Sequence, residues 1–425
     1  YLAHVDQRLA QEEARVDHYL HSSSRKPLLS AVRLALLSSH IDILLGQGFD
    51  ALITQMRIDE LRLLYSLLSQ VSALAEVRAA FGGYIKRVGT AMMNDVEREK
   101  QLVAELLAFK DKLDLVLSGA FASNETFGHA LKEAFEHFVN VRQNRPAELI
   151  ARYLDAQLRT SNKGTSEEEL EEVLDKTMTL FRYIDGKDMF EAFYKKDLSR
   201  RLLLDKSAST DAEKWIISKL RTECGSTFTS KLEGMFKDME LSRDVMESFR
   251  SSPHAEKVPS DVELSVHVLT QGYWPTYPPA QVKLPAEILE LQEIFTAYYS
   301  SKHNGRRLQW HPYLGTCVLR AKFASKAKEL QVSPLQAIVL LLFNGCESGM
   351  GYADIQQATG VDEGELKLAL QSLRALCENG TDPRRFDRAA PAKTRAPVGV
   401  SQLRTHDFDE PMLDLDATVP KDNGG

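Results

Sequence analysis

Nucleophiles, acid pairs, metal ligands and phosphate-binding glycines do chemistry only at particular spacings, so these residues are the first to weigh. The four cysteines, Cys224, Cys317, Cys346 and Cys377, include no CxxC pair and no zinc-knuckle spacing. They read as reduced thiols, and no metal is expected. His303 and His311 have neither carboxylate nor cysteine at ligand distance along the chain. Gly345, Gly349 and Gly351 cluster in NGCESGMG, but no GxxxxGK[ST] follows and no strand precedes, so the stretch reads as a helix-to-helix loop. No Ser/His/Asp order and no paired-acid motif stands out. Catalytic residues and cofactors are therefore expected to be absent.

What remains is recognition. Lys195, Lys196, Arg200 and Arg201 form a short basic run in which Lys196 and Arg200, one helical turn apart, share a face, with Asp197 as a counterweight. That stripe suits an acidic partner, or is simply a solvated face. Overall, 53 Lys+Arg against 60 Asp+Glu give a formal net charge of −7, which argues against bulk binding to nucleic acid or anionic membrane. The longest apolar run, Ala337–Phe343, is too short to span a bilayer and reads as a buried helix core. The start at Tyr1, without methionine or signal-type segment, leads us to expect a fragment.

The elements that must carry these residues are mostly helices. A chain of 425 residues is expected to divide into two to four domains. From Ile58 to Val88, apolar side chains recur every three or four positions, the period of one buried stripe. The same period returns over Leu102–Leu117 and Phe127–Val139. Pro146 opens another helix, and Ser166 with Glu169 forms a capping box ahead of the next. Thr210 with Glu213 reads as a second box, and Gly225 as the stop. Helices apolar on one stripe must stack on their neighbours, and a row of them grows as an elongated stalk. Met189, Phe190, Phe193, Tyr194, Leu198 and Leu202, then Leu232, Met235, Phe236 and Met239, supply faces for a helical bundle.

Past the linker 251–260 the period changes. Residues 264–269, 306–311, 316–323 and 330–332 alternate apolar and polar, predicting four short strands, with a helix over Ala286–Tyr299 and a turn at Asn304–Gly305. Neither 264–269 nor 316–323 holds a proline, so an open edge able to accept a strand from another chain is plausible from the residues alone. Ser333, Pro334 and Gln336 predict a capped helix. Tyr352–Ala358, a break at Thr359–Gly360 and Asp362–Leu373 predict a helix-turn-helix. Its second helix opens with Asp362, Glu363 and Glu365, opposed by Lys367 and Arg374, which favours protein packing over DNA. A nucleic-acid-binding helical protein is kept as the alternative function. From Arg374 on, the Pro-, Ala-, Asp- and Arg-rich sequence predicts disorder.

Six blocks carry a family resemblance: PAELIARYLDAQLR at 146–159, GKDMFEAFYKKDLSRRLL at 186–203, TSKLEGMFKDMELS at 229–242, VLTQGYWPTYPP at 268–279, RRLQWHPYLGTCVLRAKF at 306–323 and KELQVSPLQAIVLLLFN at 328–344. In this order they resemble the cullin family, nearest its cullin-4 subfamily, over about residues 1–373. The resemblance implies a mainly α fold: partial helical cullin repeats at 1–164, a four-helix bundle at 165–250, an α/β sheet domain at 251–333 and a partial winged helix at 334–373. Residues 374–425 would be a disordered tail foreign to the family.

Cullins are non-catalytic scaffolds of RING-type ubiquitin ligases in ubiquitin-dependent protein degradation. The resemblance implies that the sheet accepts a strand of a RING-box protein, which brings the ubiquitin-conjugating enzyme indirectly, with Val266, Val268, Leu308, Trp310, Cys317 and Leu319 as inward anchors. It implies neither nucleic acid nor membrane as partner, and a place in nucleus and cytoplasm. The first repeat, which holds a substrate adaptor, has no counterpart here, so adaptor engagement is not expected. No lysine, Lys393 and Lys421 included, lies in the VRIMK-type context that receives the Nedd-type modifier, so no neddylation lysine is assigned.

Overall fold

The computed structural model describes residues 1–159, 166–276, 282–322, 327–345, 350–378 and 399–404. The chain divides into two compact units, one of Tyr1–Asp197 with Ala208–Phe228, the other of Leu198–Ser207 with everything from Thr229 on. Two of its three boundaries fall inside helices, the third between two helices, and none at residues 251–260.

The first unit holds helices α1 (Leu2–Tyr19), α2 (Arg25–Leu36), α3 (Ile41–Gln47), α4 (Phe49–Thr54), α5 (Ile58–Ser69), α6 (Leu74–Asn94), α7 (Leu102–Gly119), α8 (Glu125–Val139), α9 (Arg145–Leu158) and α10 (Glu167–Phe181). It also takes the start of α11 (Lys187–Leu203) and all of α12 (Thr210–Cys224). The single stripe expected from Ile58 to Val88 is two helices, broken where Ser72 takes a left-handed φ of 57°. No glycine or proline marks that break in the sequence.

Its core is aromatic. Phe121 and Phe127 stand 4.7 Å apart, with Phe81 5.3 Å from Phe121 and Tyr65 5.7 Å from both, so α5, α6 and α8 meet around one ring cluster. Further along, α6 and α8 touch at Gly89, where a Cβ would lie 2.4 Å from the Phe138 ring, and only glycine lets the two helices come so close.

Local chemistry sets the helix ends. Asn124 accepts from the Thr126 amide at 2.9 Å to start α8, and Ser166 with Glu169 makes the expected capping box of α10. The expected Thr210–Glu213 box does not form. Ser209 caps α12 by accepting from the Ala212 amide, while the Glu213 carboxylate turns inward, fully buried, and accepts from the Tyr194 hydroxyl at 3.3 Å. Gly225 ends α12 with φ of 87°, as its position predicts.

The second unit contains the remainder of α11, most of α13 (Ser226–Arg250), α14 (Ala286–Lys302), α15 (Pro334–Leu342), α16 (Tyr352–Thr359), α17 (Glu363–Glu378) and three strands, β1 (Cys317–Lys322), β2 (Ala327–Val332) and β3 (Gly399–Arg404). β1 and β2 pair antiparallel from Cys317 opposite Val332 to Lys322 opposite Ala327. β3 pairs parallel on the other side of β1, with an irregularity between Leu319 and Ala321. Part of the stretch expected to be disordered is thus ordered: α17 runs through Glu378 and β3 forms. The expected strand end at Phe323 lies outside the described residues.

Ser333 and Gln336 cap α15 reciprocally, and Gly360 takes φ of 66° between α16 and α17. The mainly α fold with a small sheet therefore stands as read. Two of the predicted strands, 264–269 and 306–311, are not paired strands. On membranes, one run exceeds the expectation: through α2 and α3, Ser22–Gln47 contains an 18-residue window that is apolar enough to cross a bilayer by length and composition. It is interrupted by Arg33 and by a one-turn break at Ser38–His40.

Candidate strand-acceptor site

The six residues expected to line one sheet lie in two separate cores. Cys317 and Leu319 point from β1 into a cluster with Val332, Ile338, Leu366 and Leu370 that joins the sheet to α15–α17. Leu319 is wholly buried and burial pushes the Cys317 thiol up to about 11, so both are structural side chains. β1 has β2 on one side and β3 on the other, leaving neither of its edges open.

Val266, Val268, Leu308 and Trp310 do come together. They pack on a second cluster made by Met246 and Phe249 of α13 and by Leu291, Phe295, Tyr298 and Tyr299 of α14. Trp310 meets Phe295 edge-on at 6.0 Å, and its Nε1 donates to Thr296 Oγ1 at 3.3 Å. Both segments that alternate in sequence therefore lie on one apolar floor, and no hydrogen bond among the described residues joins them to each other.

The segment from Leu264 to Thr270 is held by a helix instead of a strand. The Val266 amide donates to Met246 Sδ at 3.3 Å, the Val268 amide to Ser242 Oγ at 2.9 Å and the Thr270 amide to Asp238 Oδ2 at 2.7 Å. Ser242 Oγ also donates to the Val268 carbonyl at 3.0 Å. Met246, Ser242 and Asp238 stand four residues apart on α13, about 6 Å of helix rise each. Their partners step two residues at a time, about 6.6 Å of extended chain. The match forces the segment to be extended and antiparallel to α13. It also explains the missing strand: the hydrogen bonds of one edge go to side chains.

Asp238 holds the far end of this rail. Buried, it accepts from the Thr270 amide, from Thr270 Oγ1 at 2.8 Å and from Trp274 Nε1 at 2.8 Å. One turn earlier, the Tyr273 ring sits where a Cβ on Gly234 would be, 2.6 Å away. The block at 229–242 thus carries a small and polar stripe, Gly234–Asp238–Ser242, which Met246 extends by one turn and which fastens residues 266–274. Composition alone passes over it because Leu232, Met235, Phe236 and Met239 dominate the same helix. Its signal is the strict four-residue spacing.

In an extended chain, successive residues turn their backbone groups to opposite sides. With the even residues facing α13, the N–H and C=O of Ser265, His267 and Leu269 face away from it, and among the described residues none of them has a hydrogen-bond partner. The side chains follow suit: Leu264 and Val266 are buried, His267 exposed.

The basic run is not one surface. Arg201 is fully buried, Lys195 half-buried, and only Lys196 and Arg200 are exposed. The helix-turn-helix is α16–α17, where Lys367, a cation that would have to meet phosphate, pairs with Glu363 at 3.6 Å. Among the described residues, no group of histidine, cysteine or acidic side chains is placed to hold a metal ion.

Comparison with known proteins agrees with this architecture. A family model described as the cullin alpha solenoid domain matches residues 1–246, and one described as the cullin alpha+beta domain matches 268–381. Cullin-4 of Dictyostelium discoideum is 49% identical over 384 residues, 90% of this chain and 47% of that protein. Cullin-4A of Homo sapiens is 49% identical over 374 residues, 88% of this chain and 49% of its own length, and Cullin-3 of Dictyostelium discoideum 41% identical over 403, 93% and 51%. The chain spans about half the length of these relatives. On the extent of the family match, and on the helical and sheet units it covers, the chain belongs to the cullin family.

Proposed function

We propose that this chain is a non-catalytic scaffold of a RING-type ubiquitin ligase, acting in ubiquitin-dependent protein degradation, and that it takes a strand of a RING-box protein on the outer edge of residues 264–269. The observation that carries this reading is the row of unpartnered backbone groups at Ser265, His267 and Leu269, on an extended segment already fixed on its other side. An added strand supplies the missing hydrogen bonds, and β-augmentation needs no pocket. Residues 306–310, whose Leu308 and Trp310 pack on the same apolar floor and which likewise have no backbone hydrogen-bond partner among the described residues, offer a second flank. Held this way, the RING-box protein brings its ubiquitin-conjugating enzyme to a fixed place, and the scaffold contributes effective concentration instead of bond chemistry.

Proline at position 267 tests the reading. It deletes one outward N–H while leaving the amides of Val266, Val268 and Thr270, which face α13, in place. Co-purification of the full chain with a RING-box protein is expected to succeed for the unaltered chain and to fail for His267→Pro. Undiminished capture by a folded His267→Pro chain would contradict the site.

A further inference from the structure

We infer that Asp238 and Ser242 are positioning residues for partner binding: through the side-chain rail on α13 they set the register in which residues 264–269 present their open edge. The inference rests on the strand-acceptor reading above and adds to it the device that makes the edge usable.

A strand shifted by one residue exchanges its two faces completely. Here a shift would turn the amides of Ser265, His267 and Leu269 toward α13, expose Leu264 and Val266, and bury His267. In a sheet, a neighbouring strand forbids such a slip, but residues 264–269 have no neighbouring strand among the described residues. Ser242 substitutes for one, since its hydroxyl both accepts from the amide and donates to the carbonyl of the same residue, Val268, the double contact a paired strand residue makes. Asp238 fixes the end of the segment with three hydrogen bonds from Thr270 and Trp274. Tyr273, seated over Gly234, closes the chain against the helix just beyond.

None of these side chains reaches the open edge, so each acts through the backbone it holds. The chemistry makes a specific demand at Asp238. Two N–H donors converge on Oδ2, and the Thr270 hydroxyl meets Oδ1. Asparagine can satisfy all three by placing its carbonyl at the Oδ2 position and letting its amide donate to the Thr270 hydroxyl, which reverses direction. Leucine, of similar size, can satisfy none. What the rail needs is hydrogen bonding, not charge.

Affinity of the full chain for a purified RING-box protein, measured for Asp238→Asn, Asp238→Leu and Ser242→Ala, tests the inference. Asp238→Asn is expected to bind within about threefold of the unaltered chain. Asp238→Leu and Ser242→Ala are expected to bind about tenfold or more weakly, the scale of one or more lost hydrogen bonds that cost little in solution but are needed in place. Circular dichroism of each variant checks the fold, and if Asp238→Leu does not fold, Ser242→Ala decides. Amide exchange in the free chain is the readout that needs no partner: Val268 and Thr270 are expected to exchange more slowly than Ser265 and His267, and Ser242→Ala to release Val268 selectively. Full affinity in folded Asp238→Leu or Ser242→Ala overturns the inference and leaves the acceptor reading intact. No binding by the unaltered chain overturns both.

Discussion

Gly234 shows how a single side chain, or the lack of one, decides a path. The Tyr273 ring lies 2.6 Å from where its Cβ would be, so alanine forces the ring off α13. Gly234→Ala is expected to lower stability by about 1–3 kcal/mol, the scale of overpacking, despite alanine's better helix propensity. Urea denaturation of the two proteins checks this, and an equally or more stable variant would place the ring elsewhere. Such residues were hard to read from sequence for a physical reason. Burial, period and capping are local or periodic signals, and by them Ser166, Pro146, Gly225, Ser333 and Gln336 were assigned their places. Ser242 and Asp238 take their roles from residues 26 and 32 positions on, and their four-residue spacing marks a stripe on α13 without saying what it meets. Glu213 failed for the same reason: its spacing from Thr210 fits a cap, but the Tyr194 hydroxyl took it inward.

At the scale of elements, connections are fixed by partly buried ion pairs as well as by apolar stripes. Glu99, between α6 and α7, accepts from Arg145 Nε at 2.8 Å, from Arg145 Nη2, and from Arg142 Nη2 at 2.9 Å, while Arg142 Nη1 donates to the Met93 carbonyl at 3.1 Å. The connection after α6 is thereby locked to the one between α8 and α9. These contacts, the Arg145 hydrogen bond above all, hold the Glu99 carboxyl down from 4.5 to about 2. A carboxyl with a depressed folded-state pKa contributes its full stability above the unfolded value and loses it as pH falls toward the folded one. Glu99→Gln is therefore expected to cost about 1–3 kcal/mol at pH 7. The difference from the unaltered protein should narrow from about pH 4.5 and close near pH 2. Thermal unfolding across that range measures it, and a gap independent of pH would remove the ionised carboxylate from the account. Strands were the least legible elements. Period two identified 264–269 and 306–311 as extended, half-buried chain, yet alternation says nothing about what pairs with the backbone, and here one edge went to a helix.

Over the whole molecule, one unit supplies stacked helices and the other carries the proposed acceptor segment, and the family resemblance is legible in blocks that follow in sequence order, independent of packing. Residues grouped by those blocks as one sheet lining fall in two cores, since Cys317 and Leu319 share the alternation of Val266 and Val268 but line a different interior. On the proposed reading, a RING-box strand adds at the outer edge of residues 264–269. Residue-resolved amide exchange of the full chain, alone and with a saturating RING-box protein, tests it most directly. The account predicts strong new protection at Ser265, His267 and Leu269, with little change at Val266, Val268 and Thr270, whose amides already have partners. Protection confined to the outer edge of β2, with 265, 267 and 269 still exchanging freely, would contradict it.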